Sequence, residues 1–259
     1  MSRFTLAKDF RNIDPKLTRI ILIEAGPRIL PSFSIELASR ATRDVETLGV
    51  QVWTDSHVTD IDVSGVQVGG ERILANTVLW AAGVEASALG AQLGVALDRQ
   101  GRVRVREDLS VPEHPEVFVL GDLARVDGPN GPLPGVAPVA MQQGRYLARM
   151  LRREKQPQTK AREPFRYLDK GQMATIGRRR AIVEVGRTRV TGFLAWLMWL
   201  VVHIYYLSGF RNRLLVLIQW AWSYLTFARG ARLIVEKDWR SHAHEIAPAC
   251  EVDSAAQRQ

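Results

Sequence analysis

A glycine followed by an aspartate ends a short apolar run at residues 117–124, which read VFVLGDLA. Because Gly121 has no side chain, the backbone at this point can approach a bound molecule closely. The carboxylate of Asp122 can accept a hydrogen bond from a hydroxyl group, although an ordinary Asx turn is the alternative interpretation. In the context of the segments around it, the pair predicts the place where the ribityl hydroxyls of a flavin lie.

A second carboxylate, Glu24, closes the apolar run RIILIEAGP at 19–27. In dinucleotide-binding domains an acid at the end of the second strand binds a ribose 2′-hydroxyl, about 20 residues beyond a glycine-rich loop. The chain contains no G-x-G triplet, and counting back from Glu24 reaches its first residues. We therefore expect the sequence to be the C-terminal part of a longer protein. An exposed strand-end carboxylate is the alternative for Glu24.

The elements that would position these residues follow a strand–helix–strand order up to about residue 150. The run at 19–27 is continuously apolar, as in a parallel strand buried on both faces. Residues 34–49 predict an amphipathic helix with Ser34 as N-cap and Gly49 as the C-terminal stop. Short strands are expected between 50 and 124, and a second helix over 138–153. This order indicates a Rossmann-like, doubly wound α/β architecture.

The composition changes after residue 155. A polar, proline-containing linker is followed by a predicted strand pair and by two apolar, tryptophan-rich runs at 192–207 and 214–228. As a helix the first run would be about 24 Å long at about 1.5 Å per residue, shorter than a hydrocarbon core of about 30 Å. Aromatic rings and flanking arginines suit an anionic lipid surface, so we predict a surface-lying anchor through 192–232. A buried helical core is the alternative.

Net charge and cysteine content exclude several classes of protein. The net charge of +8 is concentrated in the C-terminal half, where basic residues border apolar helices, so no nucleic-acid partner is predicted. The only cysteine, Cys250, excludes a disulfide framework, a cysteine-based metal site and a two-thiol redox centre. Sulfide and disulfide reductases, which need reactive thiols, are therefore disfavoured. No metal site is predicted.

Several segments, taken in this order, resemble the type II NADH dehydrogenases. They are IEAGPRILPSF, LWAAGV, VFVLGDLA, APVAMQQGRYLARML, YLDKGQMATIGRRRAIVEV and the aromatic helices, and they extend from residue 4 to about 240. The family consists of single-subunit, non-proton-pumping NADH:quinone oxidoreductases with two dinucleotide-binding domains. The resemblance implies that 1–82 is the remainder of the NADH-binding domain and 83–153 the returning part of the FAD-binding domain. Residues 154–259 would be an α+β, membrane-associated region with two amphipathic aromatic helices.

The resemblance also implies a set of cofactor-binding residues. FAD would lie against Gly121 and Asp122 and against the first turn of the second helix, at Ala137, Pro138 and Val139. Proline suits that turn because no N–H is needed there. Ala82 and Gly83, expected directly after a buried strand, would leave room for nicotinamide, although a tight turn is the alternative. Glu24 would favour NADH over NADPH, since a carboxylate repels a 2′-phosphate.

Two further residues are implied on the quinone side. Family members often have glutamine at the second and sixth positions of A-Q-x-x-x-Q, but here the second position is Pro138 and only Gln142 remains. Gln143 is expected to be structural. Lys170 resembles a residue near the quinone opening, and a solvated loop lysine is the alternative.

The activity implied is non-electrogenic transfer of a hydride from NADH to FAD and of two electrons to a membrane quinone in the respiratory chain. The flavin would carry the chemistry, so no catalytic side chain is expected. The partners would be NADH, quinone and anionic lipid on the cytoplasmic face of the membrane, with a homodimer left open. Because no phosphate-binding loop is present, we expect this chain to bind FAD weakly or not at all. The alternatives are a non-catalytic membrane-binding fragment without FAD and another quinone-reducing flavoprotein of the superfamily.

Overall fold

The N-terminal elements form the predicted strand–helix–strand unit. The computed structural model describes residues 17–129, 131–155 and 161–226. Strand β1 (Ile20–Ile23) pairs in parallel with β2 (Val50–Trp53), and helix α1 (Ile35–Thr47) connects them. The prediction that β1 is buried on both faces is wrong, because Ile20 and Leu22 are 38% and 40% exposed. Within the described residues α1 covers only one face of this pair.

The ends of α1 are close to the predicted ones. Gly49, with a φ of +89°, follows the C-cap residue Leu48 in a conformation that favours glycine. Ser34 occupies the N-cap position, but its side chain makes no capping hydrogen bond. Its backbone N–H instead donates to Oε2 of Glu184, 3.1 Å away, so the start of α1 is tied to the C-terminal part of the chain.

An antiparallel meander of β3 (Val58–Asp62), β4 (Gly65–Val68) and β5 (Glu71–Leu74) follows. The buried strand expected just before Ala82 is not formed. Leu79 and Trp80 are 89% and 67% exposed, and no strand of the described residues pairs with them. Their backbone groups form no hydrogen bonds with a neighbouring strand of the described residues, and their side chains are exposed to solvent.

The next region packs around one apolar core. Helix α2 (Leu89–Gln92) precedes β6 (Val103–Arg104), which pairs in parallel with β7 (Ala124–Arg125), and β8 (Asp127–Gly128) pairs with β9 (Gly131–Pro132). The core contains Val103, Leu109, Val111, Val119, Ala124 and Val126. The segment Val117–Leu120 belongs to this core but makes only a single bridge, between Ser110 and Phe118, and so is not the strand that the sequence predicted.

Helix α3 (Ala137–Glu154) matches the predicted second helix. After it, β10 (Gln172–Gly177), β11 (Arg180–Val185) and β12 (Thr188–Thr191) form an antiparallel sheet, one strand more than expected. Ile182 of β11 packs against Phe33 and against Leu37 and Ala41 of α1. The C-terminal sheet therefore shares a core with the N-terminal helix.

The two apolar runs are both helical, as α4 (Gly192–Tyr206) and α5 (Phe210–Thr226). Among the described residues no helix is both long and apolar enough to cross a membrane. The chain divides into two compact units, one of Arg19–Trp199 and another whose described residues are 17–18 and 200–226. The domain boundaries proposed from the sequence stay a prediction.

Candidate functional site

The turn that begins at Gly121 is attached to helix α3. Gly121 has a φ of +66°, and residues Gly121–Leu123 form one short 3₁₀ turn. Its backbone N–H donates a 2.6 Å hydrogen bond to Oε1 of Gln143, whose side chain is buried. A Cβ placed on Gly121 would lie 3.3 Å from the Cβ of Ala140. Both the conformation and the close approach to α3 therefore favour glycine here.

Asp122 stands beside a second glycine at the edge of a recess. Its carboxylate is exposed and takes no hydrogen bond from the described residues. A Cβ placed on Gly135 would lie 3.4 Å from Oδ1 of Asp122, so the bare backbone keeps the approach to the carboxylate open. The recess is shallow and open to solvent, and it is lined by Gly121, Asp122, Pro134, Gly135, Val139 and Gln143, with Arg102, Ala124 and Leu133.

The first turn of α3 forms one wall of this recess. Pro138 lies in that turn, as predicted, and the carbonyl of Val136 accepts hydrogen bonds from Val139 and Ala140 at 3.0 and 3.3 Å. Val139 is buried, whereas Ala137 and Pro138 are exposed. Val139 therefore contributes to the wall of the recess. Ala137 and Pro138 do not line it.

A buried ion pair fixes the far side of the recess. Asp98, with a side chain only 3% exposed, contacts Nε of Arg102 at 2.8 Å and Nη1 of Arg125 at 3.7 Å. Burial by itself would raise the pKa of Asp98, but hydrogen bonds from Arg102 and Gln100 outweigh it and hold that pKa below its usual value. Arg102 and Gly135 were not predicted as site residues. The D-x-x-x-R spacing of Asp98 and Arg102 was the feature of the sequence that could have indicated this ion pair.

Glu24 lies where the sequence placed it, just after β1 at the carboxyl end of the parallel pair. Its N–H donates to the carbonyl of Trp53 at 2.8 Å, and Oε1 accepts a 2.8 Å hydrogen bond from Gly26. Ligands of open α/β sheets bind at this end of the strands. Ala82 and Gly83 lie in an exposed loop. None of these three residues lines the recess at Asp122.

Gln142 and the loop of Lys170 are joined by hydrogen bonds. Nε2 of Gln142 donates to the carbonyl of Leu168 at 2.9 Å, and Oε1 accepts from the N–H of Leu168 at 3.0 Å. The adjacent Gln143 is buried and structural, as expected, through its contact with Gly121. Lys170 is exposed and directly precedes Gly171, which has a φ of +85°. Neither Gln142 nor Lys170 lines the recess.

The two C-terminal helices carry large apolar side chains in solvent. On α4, Phe193, Leu194 and Val201 are 55–60% exposed, and on α5, Phe210 and Leu225 are 79% and 75% exposed. The transfer of an apolar side chain out of water becomes more favourable as its surface area increases, so these large side chains would gain most from burial. Both helices therefore offer surface that an apolar phase would cover.

Comparison with known proteins gives consistent matches along the chain. Residues 5–144 match the Pyridine nucleotide-disulphide oxidoreductase family, and residues 170–229 match the NDH2 C-terminal domain. Type II NADH:quinone oxidoreductases Ndh and NdhA of Mycobacterium tuberculosis are 40% and 42% identical over 247 residues. These matches cover 92% and 90% of this chain but 52% and 51% of the relatives. The chain thus spans about half the length of the curated relatives it matches.

Among solved structures, NDH2 from Plasmodium falciparum in complex with NADH is similar in fold, with a TM-score of 0.79 and 15% sequence identity. The similarity covers 89% of this chain and 63% of that one. A more distant likeness is to CoADR-RHD of Bacillus anthracis, with a TM-score of 0.53 and 19% identity over 67% of this chain and 31% of that one.

Proposed function

Because the chain belongs to the pyridine nucleotide-disulphide oxidoreductase family and, within it, to the type II NADH dehydrogenases, we propose that it carries the FAD-contacting, NADH-contacting and membrane-binding parts of an NADH:quinone oxidoreductase. The observation that carries this proposal is the open recess at Gly121, Asp122 and Gly135 beside the first turn of α3. When bound, FAD would accept a hydride from NADH and supply two electrons to a quinone.

The ribityl stretch of FAD would lie against this recess. Asp122 offers carboxylate oxygens that no described residue uses, and ribityl hydroxyls are donors that such oxygens accept. A side chain at Gly135 would occupy the approach to that carboxylate. Ala137 and Pro138 would contact the flavin through exposed surface, and Val139 through the wall it contributes. The positive end of the α3 helix dipole would stabilise negative charge placed next to it.

The NADH contact would be made by Glu24, with its carboxylate held at the end of β1 by the N–H of Gly26. A carboxylate fixed there accepts hydrogen bonds from a ribose and repels a 2′-phosphate, so NADH is the nucleotide we propose. Ala82 and Gly83 would pass beside the nicotinamide. The sequence contains no G-x-G triplet, so we propose that the FAD affinity of this chain is weak.

The quinone would enter from the lipid side, near Gln142 and Lys170. The exposed apolar side chains of α4 and α5 would lie in the lipid headgroup region, and the flanking arginines would contact anionic lipid. We propose a peripheral position, on the cytoplasmic face of the membrane. Whether two copies associate there is tested by the mass of the detergent-solubilised protein.

Titration of the full chain with FAD tests the proposed function. We expect saturable quenching of flavin fluorescence, bleaching of the bound flavin by NADH, and slow reduction of menadione. Asp122→Ala should weaken FAD binding about tenfold, the order of one charge-assisted hydrogen bond. Glu116→Gln, which changes another exposed carboxylate that does not line the recess, should leave FAD binding unchanged. A chain that binds vesicles but neither FAD nor NADH would instead be a non-catalytic membrane-binding fragment.

A further inference from the structure

Residues 161–171 form an extended strap that lies along α3. They contain no helix or strand and follow the helix in the opposite direction, because Arg162 contacts Glu154 whereas Leu168 contacts Gln142. At 3.6 residues per turn, Gln142, Tyr146 and Arg153 lie on one face of α3, and Arg153 contacts Glu163 at 3.4 Å. Glu154 lies about a third of a turn away from Gln142 around the helix. The sequence predicted residues 161–164 as linker and placed 165–171 in the segment of the strand pair, which is wrong because the first strand begins only at Gln172. In the structure it is attached at three points.

The lengths of the strap and of the helix agree. From Gln142 to Glu154 the helix advances about 18 Å, at about 1.5 Å per residue. From Arg162 to Leu168 an extended chain covers about 20 Å, at about 3.3 Å per residue. The strap is therefore long enough to run beside this part of the helix with little excess length.

Arg162 is the first attachment point. Its Nε lies 2.7 Å from Oε1 of Glu154, and its Nη1 lies 3.0 Å from Oδ2 of Asp108. Nη1 also donates to the carbonyl of Pro115 at 2.7 Å, and the guanidinium lies 4.9 Å from the centre of the Phe118 ring. Hydrogen bonds with Glu154 and Asp108 raise the pKa of Arg162 above its ordinary value. This end of the strap is fixed to both α3 and the apolar core.

Tyr146 and Phe165 make the middle attachment. The Tyr146 hydroxyl donates to the carbonyl of Glu163, and the rings of Tyr146 and Phe165 meet edge to face with centres 5.6 Å apart. The N–H of Phe165 donates to the carbonyl of Glu107 at 2.7 Å. Phe165 also packs against the core, so the strap is part of the folded structure up to this residue.

Gln142 makes the last attachment, and it does so with both ends of its amide. Beyond Leu168 the chain turns at once: Oδ1 of Asp169 accepts a 2.8 Å hydrogen bond from Gly171. A Cβ on Gly171 would collide with the backbone carbonyl of Glu184 in β11. The loop that carries Lys170 is thus held between Gln142 on one side and β11 on the other.

We propose that Gln142 is a positioning residue, which holds the Leu168 backbone and thereby places the Lys170 loop beside the N-terminal turns of α3. Both the N–H and the oxygen of the Gln142 amide are bonded to the backbone of Leu168, so the plane of this amide is fixed. In this proposal Gln142 acts on the quinone through the loop. The effect of Gln142 on the quinone rests on the proposed function, because the loop can contact a quinone only if the quinone site lies beside it. The hydrogen-bonded arrangement itself is independent of that function.

Hydrogen exchange tests the arrangement in the full chain without any cofactor. Gln142→Met keeps the side-chain volume and removes both hydrogen bonds, so the Leu168 amide should exchange about tenfold faster. Tryptic cleavage after Lys170 should accelerate with it. Protection of the Phe165 amide should persist in this variant, because Arg162 and the core hold that residue. Arg145→Met, an exposed change on the same helix without strap contacts, should alter neither. Equal exchange of Leu168 in Gln142→Met and wild type would overturn the proposal.

Kinetics test the consequence for the quinone. With FAD added, Gln142→Met should raise the KM for menadione about two- to tenfold, more than it lowers kcat. Lys170→Met should have a similar effect, and the double variant should be no worse than the worse single variant, because both act through one loop. Additive losses would show that Gln142 contacts the quinone by itself and would overturn the positioning role. If the chain reduces no quinone at all, the proposed function fails, whereas exchange at Leu168 still decides the positioning.

Discussion

The backbone N–H of Gly121 and the side-chain oxygen of Gln143 are 2.6 Å apart, and the glutamine side chain is 1% exposed. This hydrogen bond fixes the turn of the recess to the helix that forms its wall. Gln143→Leu should lower the free energy of unfolding by about 1–3 kcal/mol, since the Gly121 N–H loses its acceptor. Urea denaturation measures this loss. Gln92→Leu, on the exposed side of α2, is the matched control, and an equal effect there would contradict the assignment.

Gly121 itself should not tolerate a side chain. Its left-handed backbone conformation makes Gly121→Ala unfavourable by about 1–2 kcal/mol, and the new methyl group would press on Ala140 at 3.3 Å. Gly144→Ala is a control for which we expect the opposite change in stability. Gly144 lies within α3 with open space at its Cβ position, so alanine there should stabilise the protein by about 0.5–1 kcal/mol. Thermal denaturation of both variants measures the difference, and a destabilised Gly144→Ala would count against this reading of α3.

Asp98 should make stability depend on pH in the acid range. Because its pKa is lowered in the folded chain, its contribution is complete above the ordinary aspartate value of about 3.9. It is lost as the pH falls further through the folded pKa. Asp98→Ala leaves Arg102, 14% exposed, without its carboxylate and should cost about 3–5 kcal/mol at neutral pH.

Unfolding curves at pH 7 and near pH 3 measure both effects of Asp98. The stability of Asp98→Ala should change less between the two pH values than that of the wild type. Asp127→Ala removes a carboxylate that is 64% exposed and should have little effect. If Asp98→Ala and the wild type lost equal stability on acidification, another carboxylate would be responsible.

The exposed end of α5 should contribute to membrane binding. Leu225→Glu should weaken binding to vesicles of phosphatidylglycerol and phosphatidylcholine by at least about tenfold, since burial of a leucine contributes about 1.5–3 kcal/mol. Leu74→Glu is matched in exposure, at 79% against 75%, but lies in β5. It should bind as the wild type does. Vesicle co-sedimentation gives the partition coefficients, and equal losses in the two variants would exclude a specific role for α5.

The sequence predicted those elements whose pattern is local. Helix α3 was expected within one residue at each end, because its apolar period and Pro138 are contained in the segment itself. The parallel pair of β1 and β2 was expected because a strand, a helix and a second strand follow one another in the sequence. The burial of β1 and of the segment before Ala82 was predicted wrongly, because burial depends on neighbours that a single strand does not encode.

The strap was not predicted for a related reason. Residues 161–168 have no periodicity, and their conformation is set by Glu154, Tyr146 and Gln142, which lie earlier in the chain. Gln142 was predicted as a quinone-side residue from its place in the family pattern. Its pairing with the Leu168 backbone could not be read from that pattern, because glutamine at a half-buried helical position has no preferred partner.

The close fit between strap and helix also bears on how this part of the chain can evolve. Deleting or inserting one residue between Arg162 and Leu168 would shift every later attachment by about 3.3 Å and turn each side chain to the opposite side. Substitutions at Pro164 or Arg166 would not have that effect. Among homologous sequences the number of residues in this interval should therefore be more constant than their identity.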